Sequence, residues 1–86
     1  SGTVEFRVEA VDLRDVVTDV LPLVEPQAAA KGLAVAVELP PEPCLVWADR
    51  DKLGQVLLNL LSNATKFTDA RHPRTGEPGR ITIGVA

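Results

Sequence analysis

Apolar and polar residues alternate from Val4 to Val11, with Val4, Phe6, Val8 and Ala10 set against Glu5, Arg7 and Glu9. That two-residue period predicts a half-buried strand with the first set inward. Asp12 then reads as an N-cap, with Asp15 in the first helical turn, and Leu13, Val16, Val17, Val20, Val24 and Ala28 form the stripe of an amphipathic helix. Pro22 and Pro26 fall inside that pattern and are expected to kink or interrupt it, because each removes a backbone donor. Lys31-Gly32 supplies the stop. Leu33 to Leu39 reads as a second strand, ended by Pro40-Pro41-Glu42-Pro43, and Leu45 to Ala48 as a third. Asp49 reads as the cap of a second helix, a role that outweighs one as a catalytic acid because it has no partner acid at useful spacing. Asp69 to Gly79 is loop, and Arg80 to Val85 alternates again with Ile81, Ile83 and Val85 on one side. The order β-α-β-β-α-β, with helices long enough to cover one sheet face, predicts a two-layer α/β sandwich.

The second helix is the informative one. Leu53, Val56, Leu57, Leu60, Leu61, Ala64 and Phe67 form its apolar arc. At roughly 100° per residue, Lys52, Gln55, Asn59, Asn63 and Lys66 fall within about 80° of one another, well over 90° from the centre of that arc. A merely solvated face would favour Glu, Lys and Arg. Asn is a poorer helix former, so two of them one turn apart suggest a demand other than helix stability.

Composition narrows the field. Eighty-six residues make one domain or part of one, and with only Phe6, Phe67 and Trp47 as aromatics the core must be Val, Leu, Ile and Ala. A net charge of −3 leaves no footprint for nucleic acid, and the arginines at 71, 74 and 80 fit a solvated loop better than a phosphate groove. Cys44 is alone, so no internal disulfide is available, and its neighbours Leu45, Val46 and Trp47 predict a buried, inert thiol. No apolar run is long enough for a membrane span or a signal-peptide core, so a soluble, cytoplasmic segment without membrane contact is expected. Ser1-Gly2-Thr3 is compatible with an expression remnant.

The run ADRDKLGQVLLNLLSNATKFT (Ala48 to Thr68) resembles the N-box region of sensor histidine kinases, members of the ATPase superfamily shared with gyrase, Hsp90 and MutL, whose shared architecture is the Bergerat fold. The likeness extends over Phe6 to Pro40, similar to the start of the same catalytic, ATP-binding domain, and over GRITIGVA, similar to the strand after its N-box. It joins a spaced Asn/Asn/Lys/aromatic set to an Asp-x-x-apolar-x-Gln lead-in, and covers essentially residues 1–86. The resemblance implies that Asn63 coordinates the Mg²⁺ bridging the ATP phosphates. It implies that Asn59 lines the phosphate side, helping to position metal or water for catalysis, and that Lys66 places an ammonium near the phosphates. Phe67 would stand near the nucleotide, although its place on the helical projection equally predicts packing in the apolar arc.

Read alone, the two asparagines could equally be surface amides, Lys66 a snorkelling lysine and Gln55 a structural residue. His72, between Arg71 and Pro73, is a poor phosphoacceptor, because the family's phosphorylated histidine lies on a separate helical dimerisation domain. Gly76 and Gly79 form no phosphate cradle, since Pro78 removes a donor and no helix follows.

The family's later glycine-rich boxes have no counterpart here, so a truncated histidine-kinase-type ATPase domain is expected, itself inactive and weak for ATP. A sheet cut short would leave an unpaired edge from Ile81 to Val85, inviting edge pairing or element swapping between copies. In the parent, a two-component kinase that is itself membrane-attached or free, the partners implied are the helical dimerisation and phosphoacceptor domain and a response regulator in a phosphorelay. The rival reading is a non-catalytic interaction module that keeps the N-box helix as scaffold. A gyrase-type ATPase ranks lower, because no Glu stands upstream of the asparagines on the polar face.

Overall fold

The computed structural model describes residues 2–71 and 74–84. Its elements are β1 (Val8–Asp12), α1 (Leu13–Ala30), β2 (Ala34–Glu38), β3 (Leu45–Asp49), α2 (Arg50–Phe67) and β4 (Arg80–Gly84), in the order expected. The molecule is 20 Å across its thinnest dimension, the depth of two layers. One layer is the pair α1 and α2. The strands pair as two separate two-stranded ladders rather than one sheet. β1 runs antiparallel to β3, with Val11 opposite Val46, and β2 runs parallel to β4, with Val35 opposite Ile81.

Two aspartates fix where strand becomes helix. Asp12 closes β1 and caps α1, accepting the Arg14 N–H at 3.0 Å. Asp49 closes β3 and caps α2, accepting the Lys52 N–H at 3.1 Å. Val11, before the cap Asp12, is buried in the same cluster as Val16, the positions of a hydrophobic staple. This corrects the expected face of β1. Val4, Phe6, Val8 and Ala10 are all exposed, and Val11 is the inward residue of the strand.

α1 runs unbroken from Leu13 to Ala30 through Pro22 and Pro26, against the expected interruption. Both prolines are exposed, and so are Thr18 and Pro22, whose carbonyls they leave without an intrahelical donor; water can serve there. The buried stripe is Val16, Val17, Val20, Val24 and Ala28, as the periodicity predicts. Its C-terminus closes in a Schellman motif. Gly32 adopts φ 75°, its N–H reaches Ala29 O at 3.0 Å, and the Leu33 N–H reaches Ala28 O at 2.9 Å. Leu33 and Ala28, the apolar pair of that motif, both belong to the core. Val11, Val16, Val20, Val24, Ala28, Leu33, Leu61 and Ile81 complete it.

The loop before β4 is held tightly at one point. Gly79 N donates to Ala70 O at 2.8 Å while Gly79 O accepts from Ala34 N at 3.1 Å. A Cβ there would collide with the Asp69 carbonyl oxygen and come within 2.6 Å of Leu33 Cδ2, so only glycine fits. Cys44 is half-buried, with Sγ 3.8 Å from Glu42 O, rather than fully enclosed. The apolar neighbours invoked for its burial, Leu45 and Trp47, are 65% and 78% exposed on the outer face of the β1–β3 ladder. Among the described residues no helix is long and apolar enough to cross a membrane. His72 and Val85 lie outside the described residues.

Among the described residues Asp12 is the carboxylate with the most hydrogen bonds. Beyond its cap bond, it accepts from the Arg14 guanidinium at 2.9 Å and from the Cys44 N–H at 3.2 Å, joining the end of β1 to the start of β3. The Arg14 side chain above all, with these backbone donors, lowers its pKa from 3.8 to about 2. A carboxylate whose folded pKa lies below its unfolded value stabilises the fold above the unfolded pKa and loses that contribution as pH falls. The thermal midpoint is therefore expected to drop between about pH 4 and about pH 2. Asp12→Asn should flatten that acid limb, which thermal melts followed by circular dichroism across the range would measure.

Candidate nucleotide-binding face

Every member of the polar row on α2 is exposed: Lys52, Gln55, Asn59, Asn63 and Lys66. Helix geometry places Asn59 and Asn63 one turn apart on one side, with Cβ atoms about 6 Å from each other. Among the described residues neither carboxamide is held by another side chain or by backbone, so both are available to a ligand. From Lys52 to Phe67 the helix carries two lysines and no carboxylate, so the row is cationic within an acidic chain.

The core side of α2 differs from the projected one. Its buried residues are Leu61 and Thr65, whereas Val56, Leu60 and Phe67 are 54%, 61% and 75% exposed. The buried centre is thus rotated by roughly 90° from the arc read off the sequence. The cause is the other helix. α1 packs along Gly54, where a Cβ would just touch Val20 Cγ2 at 4.0 Å, and along Leu61. Thr65 tolerates burial because its hydroxyl donates to Leu61 O at 2.9 Å. Leu53, Val56 and Leu60 instead line an open apolar groove of about 160 Å³ with Leu13, Leu39 and Ile83.

Phe67 is accordingly corrected as a packing residue. It lies roughly 140° from the buried centre, and its ring meets the Lys66 ammonium at 5.5 Å from the centroid. The aromatic and the cation therefore stand together at the solvent end of α2, beyond Asn63. Asp49 is confirmed as a cap. The Arg7 N–H at 2.9 Å, followed by the Lys52 N–H, lowers its pKa by stabilising the carboxylate. Gly79, with its N–H given to Ala70 O, has no donor left for an anion.

One residue at this end escaped sequence reasoning. Lys31, read only as part of a helix stop, sends Nζ across to Thr65 O at 3.0 Å and Lys66 O at 2.8 Å, two carbonyls of the last turn of α2. No local signal in the sequence announces a contact spanning more than thirty residues.

The donor set is unlike a cage for a metal ion. Among the described residues no group of three or more His, Cys, Asp or Glu side chains could hold one. Two carboxamide oxygens beside an ammonium suit instead Mg²⁺ that arrives with phosphates, since that ion keeps several waters and needs one or two protein ligands. A neutral amide oxygen adds no charge to repel a triphosphate, and an ammonium offsets phosphate charge as a point charge.

Comparison with known proteins bears on the family and the fold. No family model matches the chain. It is 42% identical over 76 residues to the non-motile and phage-resistance protein of Caulobacter vibrioides, covering 88% of this chain and 8% of that protein. It is 37% identical over 80 residues to the sensor histidine kinase ZraS of Klebsiella oxytoca, covering 93% of this chain and 16% of the kinase. Among solved structures, the Acinetobacter baumannii histidine kinase AdeS superposes with a TM-score of 0.72 at 26% identity, over 94% of this chain and 36% of that one. The catalytic domain of histidine kinase ThkA gives 0.71 at 29% identity, over 91% of this chain and 48% of that one. The chain thus spans less than half the length of each of these four proteins. In sequence and fold it belongs to the histidine kinase catalytic domains, corresponding to part of such a domain.

Proposed function

We propose that this chain supplies the Mg-ATP-contacting helix of a two-component histidine kinase. Asn63 donates its carboxamide oxygen to the metal, Asn59 lines the phosphate side, and Lys66 sets its ammonium against the phosphates. Phe67, exposed beside Lys66, offers its ring to the nucleotide. The observation that carries the reading is the exposed Asn59-Asn63-Lys66 row, free of carboxylates, on a chain whose relatives include histidine kinases. Bound Mg²⁺ neutralises triphosphate charge and orients it, and phosphoryl transfer depends largely on such positioning. This chain's own contribution is to bind and orient. The acceptor histidine belongs to a helical dimerisation domain elsewhere in the kinase, and a response regulator receives the phosphoryl group afterwards. The setting is the cytoplasm, where ATP is present.

On this reading the face shown here is one wall of a pocket. The groove along Leu53, Val56 and Leu60 is open, and among the described strands β4 is paired with β2 alone. Isothermal titration with Mg-ATP is therefore expected to show affinity for the full-length kinase, and affinity at least about tenfold weaker, or none, for the 86-residue chain. Equal micromolar affinity for both would refute the one-wall reading. Binding to the kinase that ignores removal of Mg²⁺ would refute the metal role of Asn63.

A further inference from the structure

The last turn of α2 has no glycine to close it. Thr68 stands at the C-cap in extended conformation, φ −87° and ψ 127°, and its N–H returns to Ala64 O at 3.0 Å. The next two carbonyls, of Thr65 and Lys66, are taken by Lys31 Nζ at 3.0 and 2.8 Å. A single ammonium thus satisfies two acceptors that a helix end leaves open, and it does so at the negative pole of the helix dipole. Its anchorage is rigid. Lys31 is itself the C-cap of α1, with its N–H bonded to Ala28 O at 3.1 Å and Gly32 locking the turn that follows. The end of one helix is therefore clamped onto the end of the other.

The clamped turn is the one that carries Lys66, and Asn63 lies less than a turn before it. We propose that Lys31 is a positioning residue for nucleotide binding: it holds the final turn of α2 so that the Lys66 ammonium is presented to the phosphates beside Asn63. The inference rests on the function proposed above, but concerns a residue outside the polar row. Lys31 touches no ligand in this role. Its Nζ acts on main-chain oxygens, so its effect must pass through the side chains that the turn displays, Lys66 first.

The test uses the full-length kinase and Mg-ATP. Lys31→Met keeps the apolar stem and removes the donors. It is expected to weaken Mg-ATP binding about tenfold, raising KM while kcat at saturation stays within about twofold. Lys31→Arg, which retains a charged donor, should restore affinity. In a Lys66→Met background the Lys31→Met change should cost almost nothing further, because the group it positions is gone. Unchanged affinity in Lys31→Met overturns the inference alone, as does an equal loss in both backgrounds, which would mark a general structural role. Absence of Mg-dependent binding by the wild type would overturn the functional reading together with it. Should Lys31→Met fold poorly, Lys31→Gln, which keeps an amide donor but loses the charge, gives the same comparison and is expected to bind Mg-ATP more weakly than wild type, whereas unchanged affinity would overturn the inference.

Discussion

Asn63→Ala in the full-length kinase is expected to lower Mg-ATP-dependent autophosphorylation by at least about 100-fold, the order of loss when one preorganised electrostatic contact is removed. The reasoning starts from where the side chain stands. Asn63 is exposed on α2, so its removal creates no cavity and should leave the fold unchanged. Alanine is also the better helix former, so stability should rise slightly if it moves at all. A large loss of activity with unaltered thermal unfolding would therefore isolate a functional role. Asn63→Asp sharpens the test, because a carboxylate still ligates Mg²⁺ but repels the phosphates, and should weaken ATP binding more than it weakens metal binding. Retention of wild-type autophosphorylation by Asn63→Ala, measured with radiolabelled ATP, would remove Asn63 from the site.

Leu61→Ala should destabilise the chain by about 3 kcal/mol, whereas Leu60→Ala should cost less than about 0.5 kcal/mol. These adjacent leucines look alike in the sequence, and both fall on the projected apolar arc. In the structure Leu61 is 6% exposed against α1 and Leu60 is 61% exposed at the rim of the groove. Truncating Leu61 leaves a void among Val20, Val24 and Ile81, members of its cluster, whereas truncating Leu60 removes little buried area. Urea unfolding of the two variants measures the difference directly. Equal losses would mean that α2 is rotated from the orientation described here. For a chain of this size about 3 kcal/mol is a large share of the total stability, so Leu61→Ala is best measured at reduced temperature.

Local chemistry made most of the fold legible. Asp12 and Asp49 announced both helix starts, Lys31-Gly32 the end of α1, and the valine stripe from Val16 to Ala28 its buried side, because capping and periodicity act within a few residues. The candidate site was legible for the same reason: Asn59, Asn63 and Lys66 share a face by helix geometry alone, and all three are exposed. The misreadings arose wherever a distant element chose between two local possibilities. Val4, Phe6 and Val8 alternate convincingly, but the cap at Asp12 and the pairing with β3 turned Val11 inward instead. Pro22 and Pro26 remove donors, yet α1 continues because its exposed side can use water and its other side is buried in the core.

Which residues become helix, strand and turn, and which polar side chains align on α2, followed from short-range sterics, capping and periodicity written in the chain. How far α2 is rolled on its axis, that Thr65 is buried while Phe67 is not, and that Lys31 clamps the end of α2 arose from packing between helices remote in sequence. Such contacts depend on complementary shape across the interface, and no local pattern encodes the partner's surface.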